Sequence, residues 1–309
     1  MALSIAIFAK QETPAAISLA EEIAALVESA AQTVWFDPLT AVAIDRHPTP
    51  LDEFAAADLI VSIGGDGTFL FAAATAGSTP IVGVNLGEVG FLNAVDPADA
   101  VVTVQHLLEE LRAGDPLPIR HLDRLAVTGA AVDPAINEIV IQAPTRGAAA
   151  PLTLTIDVDE ERYLRTEADG VMVATSTGRS AYNLSEDGPL IHPAVPAMVV
   201  TTMADRAHHP AMVLPTTAAV QIAVEGPPEA VVVSDGRTRT AVALPQTVTV
   251  ARHGTSVALV EPTPHYFDAP DKLASGLLPP PAWTGPSALD IRDGPPLGFP
   301  PHRRDPPPP

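Results

Sequence analysis

Apolar and polar positions in the first third of the chain follow two alternating periods. Ser4 to Ala9 is an apolar run of strand length, whereas Pro14 to Ala31 carries Ile17, Ala20, Ile23, Ala24 and Val27 at helical spacing behind a proline suited to a first turn. Val34 to Phe36 predicts a second strand, Asp52 to Ala57 a short helix and Leu59 to Ile63 a strand bounded by glycines. Thr68 to about Ala76 then predicts a helix, Pro80 to Val84 a strand, and Asp99 to Arg112 a helix that Gly114 terminates. Strands alternating with helices predict a Rossmann-like parallel sheet covered on both faces.

After Pro118 the helical period is nearly lost. Arg124 to Thr128, Ala135 to Gln142, Leu152 to Val158, Gly170 to Thr175, Ala197 to Met203, Ala218 to Val224, Ala230 to Val233, Thr247 to Ala251 and Val257 to Val260 read as strands. The expected fold class is therefore an α/β N-terminal domain over residues 1–117 and an all-β sandwich C-terminal domain over 118–278. Residues 279–309 are dominated by proline and read as a disordered tail, either a plain extension or a proline-rich ligand for a partner domain.

Composition narrows the chemistry. A length of 309 residues suits about two domains, and a net charge of −20 argues against electrostatic attachment to nucleic acid or an anionic membrane. The absence of cysteine removes disulfides, thiolate zinc sites and thiol catalysis. Met1 to Lys10 reads as a first strand rather than a signal peptide, and no apolar stretch approaches the roughly 20 residues needed to span a bilayer. A soluble, cytosolic protein is expected, and any anionic substrate needs local donors or a metal.

Three polar clusters stand out against the apolar pattern. In the first, the Leu59 strand breaks into Gly64-Gly65-Asp66-Gly67-Thr68. Glycines there are expected to take positive φ and bring their N–H groups close to a phosphate, with Asp66 at the strand's carboxyl end, where open α/β sheets bind ligands. A plain strand-to-helix turn with a capping aspartate is the competing reading. In the second, Asn137-Glu138 interrupts an apolar strand, so one side chain faces the core unless a turn or ligand accommodates it. The pair suits a purine edge and a ribose diol, or equally a solvent-exposed start of a strand. The third runs from Thr166-Glu167-Ala168-Asp169-Gly170 through an apolar strand to the hydroxyl-rich Thr175 to Ser185, followed by Gly188-Pro189. It can donate many hydrogen bonds to a sugar, an amide or a diphosphate, or it is a surface loop. His208-His209 lacks a third ligand at suitable spacing, so no metal site is expected there.

Together these clusters, with Asp235-Gly236, resemble the NAD kinase family in order and spacing from about Ile5 to Val260. The glycine–aspartate turn is shared with diacylglycerol and sphingosine kinases and, in variant form, with phosphofructokinases; the Thr175 to Tyr182 segment separates NAD kinases from them. The resemblance implies transfer of a phosphoryl group from ATP or polyphosphate, with Mg²⁺ or another divalent cation, to the 2′-hydroxyl of the adenosine ribose of NAD. It implies that Asp66 orients that hydroxyl and accepts its proton, and that Gly64, Gly65, Gly67 and Thr68 serve the phosphates. Asn137 and Glu138 would grip adenine and ribose. Asp169 and Thr177 would contact the nicotinamide half, with Glu167 close to the diphosphate path, and Ser180, Ala181, Tyr182 and Ser185 would complete the pocket. A homo-oligomer, dimer or tetramer, is implied as well.

The chain departs from the family pattern in four places. Ser176, Arg179 and Ser180 replace the usual Pro, Ser and Thr; Arg179 could pair with a phosphate, fill the pocket or form a surface ion pair. Phe71 stands where a basic residue is frequent, Thr201 to Pro210 is short, and Glu167 adds negative charge. The shared glycine turn keeps a lipid or other small-molecule kinase in view, although no basic or amphipathic membrane-facing segment supports it, and these departures keep in view a non-catalytic dinucleotide-binding paralogue.

Overall fold

The computed structural model describes residues 2–87, 90–145 and 151–262; the proline-rich tail lies outside them. The first half forms strands β1 (Ser4–Ala9), β2 (Thr33–Phe36), β3 (Leu59–Gly64) and β4 (Ile81–Asn85), with helices α1 (Pro14–Ser29), α2 (Pro38–Ala43), α3 (Asp66–Thr75) and α4 (Ala100–Ala113). Continuous apolar sequence in β1 and β3 is explained by burial on both faces. On one face, α1 and α4 pack through Ala20, Ile23, Val27, Val104 and Leu108. On the other, α3 packs through Phe69, Leu70, Ala72 and Ala73 and shares its cluster with Ile136 of the second half. α3 therefore lies at the seam between the two halves.

The remaining strands are β5 (Ile119–Leu122), β6 (Leu125–Thr128), β7 (Glu138–Gln142), β8 (Leu152–Val158), β9 (Glu161–Ala168), β10 (Gly170–Thr175), β11 (Ala197–Met203), β12 (Met212–Pro215), β13 (Ala219–Glu225), β14 (Glu229–Ser234), β15 (Thr238–Ala243), β16 (Gln246–Arg252) and β17 (Val257–Val260). Two antiparallel sheets, ordered β12-β11-β10-β7-β14-β15 and β6-β16-β13-β8-β9, enclose one apolar core that includes Ile139, Val171, Val200, Ile222 and Val248. α5 (Tyr182–Ser185) is a single turn after β10.

The first sheet runs β2-β1-β3-β4-β17-β5. Val257–Val260, expected in the sandwich, instead pairs parallel with β4 and antiparallel with β5, so the chain crosses the seam twice. Arg252 Nε donates to Asp123 Oδ1 at 2.7 Å, and His253 N–H to the Arg124 carbonyl at 2.7 Å, tying the two crossings together. From β1 the connections lead to β2 on one side and β3 on the other, which makes the β1/β3 carboxyl edge the switch point where such sheets bind ligands. No helix among the described residues is long and apolar enough to cross a membrane.

Candidate active site

Asp66 is the first residue of α3 rather than part of a loose turn, so its carboxylate sits at the positive end of a helix. Three donors fix it. Phe91 N–H reaches Oδ2 at 3.2 Å, while Leu92 N–H and Asn93 Nδ2 reach Oδ1 at 3.1 and 3.0 Å. Of the roughly four acceptor sites on a carboxylate, one remains open, on Oδ2. Sequence reading missed this clasp. Its signal lay in Asn85-Leu86-Gly87 and Gly90-Phe91-Leu92-Asn93 after β4: Gly90 has φ +56°, and a Cβ there would lie 2.3 Å from the Asn85 side chain.

The turn glycines act differently from expectation, since Gly64, Gly65 and Gly67 are all absent from the positive-φ residues. Gly65 is extended, at φ −98° and ψ −174°. What matters is space: a Cβ on Gly64 would meet Thr68 Oγ1 at 2.4 Å, whereas around Gly65 and Gly67 nothing lies within 4 Å. The bare backbone at those two positions leaves room for a ligand. Beside it opens a cavity of about 290 Å³ at the β1/β3 edge, whose lining includes Phe8, Lys10, Gln11, Gly67, Thr68 and Phe71. Lys10 also escaped sequence reading, although it is the sole lysine among the described residues.

Asn137 and Glu138 do not interrupt a strand; β7 begins at Glu138. The Asp235 carboxylate accepts the N–H groups of Ile136 and Asn137 at 2.8 Å and of Glu138 at 3.1 Å, which absorbs the polar backbone at this bend. Glu138 is only 6% exposed and its Oε2 has no protein partner. Burial, with the neighbouring Asp235 charge adding to it, pushes its carboxyl up to about 8. An acceptor buried without a partner is costly and marks where a ligand's donors can bind.

The hydroxyl-rich segment packs against that bend. Thr175 N–H bonds the Asn137 carbonyl at 2.8 Å, and Thr175 Oγ1 donates to the Ile136 carbonyl while accepting from the N–H groups of Thr177 and Gly178. A Cβ on Gly178 would lie 2.2 Å from the Asn137 carbonyl oxygen, so only glycine permits this approach. Thr177 is buried; Ser180, Ala181 and Tyr182 are half-buried, and Ser185 is exposed. Arg179 is 2% exposed and donates Nη1 to the Ser176 carbonyl at 2.9 Å, so its guanidinium lies in the interior rather than on the surface.

Asp169 is half-buried between β9 and β10, whereas Glu167 is exposed and paired with Arg206 at 3.2 Å, so its charge is met on the surface. Ser185 borders a groove of about 660 Å³ along with Thr201, Thr202, Arg206 and His208. The short Thr201 to Pro210 segment is organised by Asp205, which accepts from Thr166 Oγ1, Ala207 N–H and both His209 N–H and Nδ1. Although burial pushes the Asp205 carboxyl up, these bonds outweigh it and hold it well below the usual range. His209 is thus committed to a carboxylate, and no group of three or more potential metal ligands occurs among the described residues.

A carboxylate held by three donors at the carboxyl edge of a parallel sheet, beside glycines with open space around them and on a helix at the seam with a second domain, has the layout of a phosphotransferase site. Comparison makes the class specific. Residues 5–111 match the ATP-NAD kinase N-terminal domain and residues 136–261 the ATP-NAD kinase C-terminal domain. The chain belongs to the NAD kinase family and is an enzyme of that kind. It is 44% identical over 273 residues to the NAD kinase of Natronomonas pharaonis, covering 88% of this chain and 100% of that protein. It is 42% identical over 283 residues to that of Haloarcula marismortui, again covering 88% and 100%. Among solved structures, the NAD kinase of Archaeoglobus fulgidus in complex with ATP superposes with a TM-score of 0.72 at 21% identity, covering 89% of this chain and 99% of that one. Yeast NADH kinase complexed with NADH gives 0.76 at 23%, covering 96% and 90%.

Proposed function

We propose that this NAD kinase transfers the γ-phosphoryl group of ATP to the 2′-hydroxyl of the adenosine ribose of NAD, with Asp66 as the proton acceptor. The observation that carries the reading is the Asp66 carboxylate, oriented by three donors with a single acceptor site open on Oδ2. Such a group can take a hydroxyl proton without first reorganising. In this reading Asn137 and Glu138 hold the adenosine, the unpartnered Glu138 Oε2 accepts a ribose hydroxyl, and Asp169, Thr177 and the Ser180 to Ser185 turn receive the rest of the dinucleotide.

The donor's phosphates meet the bare backbone of Gly65 and Gly67 and the ammonium of Lys10. On a chain of net charge −20, Lys10 offsets part of the repulsion of a polyanion in a cavity that Glu12 and Asp37 also line. Among the described residues no carboxylate cage for Mg²⁺ occurs, a donor set that fits a cation carried in on the phosphates, where it would neutralise charge on the transferring group. ATP is favoured as donor because the relative from A. fulgidus is described in complex with it; polyphosphate is the alternative.

Incubating purified protein with NAD, Mg²⁺ and either ATP or polyphosphate, and following NADP, tests both points. Lys10→Ala is expected to raise KM for the true donor about tenfold with little effect on KM for NAD, a loss of about 1.4 kcal/mol of binding. Unchanged donor KM would remove Lys10 from the site. A cytoplasmic homo-oligomer is also proposed: β12 is a sheet edge with Val213 51% exposed, a surface a second copy can cover. Light scattering should return a multiple of 32.0 kDa, and a monomeric mass would refute it.

A further inference from the structure

Two residues apart in one hairpin, Asp235 and Arg237 touch the two halves of the site. The hairpin joining β14 to β15 turns through Asp235 at φ +48° and Gly236 at φ +66°, with Arg237 N–H bonded to the Ser234 carbonyl at 2.9 Å. Two successive left-handed residues make a tight turn that matches strand twist and leaves little freedom at its tip. On one side, Asp235 builds the bend that carries Asn137 and Glu138. On the other, Arg237 Nη1 donates to the Leu70 carbonyl of α3, and its guanidinium lies 5.0 Å from the centre of the Phe71 ring.

Phe71 is packed in turn, at 5.8 Å and edge-on, against Phe8 at the end of β1. A second arginine from the sandwich side, Arg124, donates Nη2 to the Ala73 carbonyl at 2.6 Å, close to the negative end of the helix. α3 is ten residues long, and a helix of that length is stiff over its roughly 15 Å. A shift at Leu70 or Ala73 is therefore passed on to Asp66 at its first residue.

We propose that Arg237, anchored through the Asp235 hairpin, is a positioning residue that sets Asp66 in register with the dinucleotide held at Asn137 and Glu138. The hairpin spans the seam as a strut: whatever fixes the Glu138 bend also fixes the helix that carries the acting carboxylate. The cation over Phe71 is delivered from the opposite domain, so the aromatic residue serves as its seat. This inference rests on Asp66 acting on the bound hydroxyl.

The test is steady-state kinetics on the full chain with NAD and ATP, alongside thermal unfolding. A misplacement of about 1 Å costs on the order of 100-fold in rate. Arg237→Ala is thus expected to lower kcat about 10- to 100-fold while KM for NAD and for ATP stay within about threefold, since neither binding surface is removed. Arg237→Lys, which keeps the charge and one donor but loses the planar stack, should fall between the two. Wild-type kcat in folded Arg237→Ala overturns the strut. So does a rise in either KM that accounts for the whole loss, or a loss of activity explained by the folded fraction alone. If Arg237→Ala fails to fold, wild-type kcat in Arg237→Lys overturns it equally. Should Asp66→Asn keep full activity, the assignment of Asp66 falls and the strut falls with it, whereas wild-type kcat in Arg237→Ala beside an inactive Asp66→Asn overturns the strut alone.

Discussion

Asp66→Asn is expected to lower kcat for NADP formation by about 10² to 10⁴, the range a positioned general base supplies, with NAD affinity little changed. The geometry sets what else the substitution does. An asparagine with its oxygen at the Oδ1 position keeps the bonds from Leu92 N–H and Asn93 Nδ2 and places its NH₂ where Oδ2 accepted Phe91 N–H. One donor then faces another, at a cost of about 1–3 kcal/mol, so a modest drop in thermal stability should accompany the loss of activity. Near-full activity would remove Asp66 from the base role. Loss of activity together with loss of NAD binding would show that the clasp from Gly90 to Asn93 shapes the ribose site, and that the substitution acted by releasing it.

The halves of this site were unequally legible in the chain. Gly64 to Thr68 could be read because an apolar run that breaks into glycines is a local pattern, and β3 followed by α3 is its local outcome. The clasp on Asp66 could not, because Phe91, Leu92 and Asn93 lie 25 to 27 residues away and nothing in one sequence pairs them with it. Asp235 had the same difficulty at a separation near 98 residues: it was visible as Asp235-Gly236, yet its work is done on the amides of residues 136–138. Glu138 illustrates the opposite case. The conflict between a carboxylate and an apolar strand was plain from the sequence, and the structure answers it by satisfying the backbone through Asp235 while leaving Oε2 open.

Two strands, β9 and β5, are hard to read from the sequence because one face is charged. β9 exposes Glu161, Arg162, Arg165 and Glu167 and buries only Leu164, Thr166 and Ala168, an alternation too sparse in apolar residues to read as a strand. β5 escaped for a similar reason, with Leu122 its one buried residue. β17 reads as a strand, but its burial on all sides is equally consistent with a sandwich core, so nothing local assigns it to the first sheet.

Glu138 should give the protein an unusual pH profile. Its carboxyl lies near 8 in the folded chain against an ordinary value of 4.5, first through burial and then through Asp235. The folded state therefore binds this proton more tightly than the unfolded state. The associated stability is fully present below about 4.5 and is lost as pH rises through 8, a change on the order of several kcal/mol. Asp205 works at the other end: its lowered carboxyl adds stability above the ordinary aspartate range and gives it up as pH falls below it. Denaturant titrations of the free enzyme should find stability declining from pH 5 to 8, and Glu138→Gln should flatten that decline. Bound substrate changes the sign of the local demand. Ribose hydroxyls donating to Oε2 favour the carboxylate and lower its pKa, so NAD binding near pH 7 should expel up to about one proton. Calorimetry in buffers of different ionisation enthalpy measures that proton directly. No release by the wild type, or equal release by Glu138→Gln, would show that the ribose does not donate to Glu138.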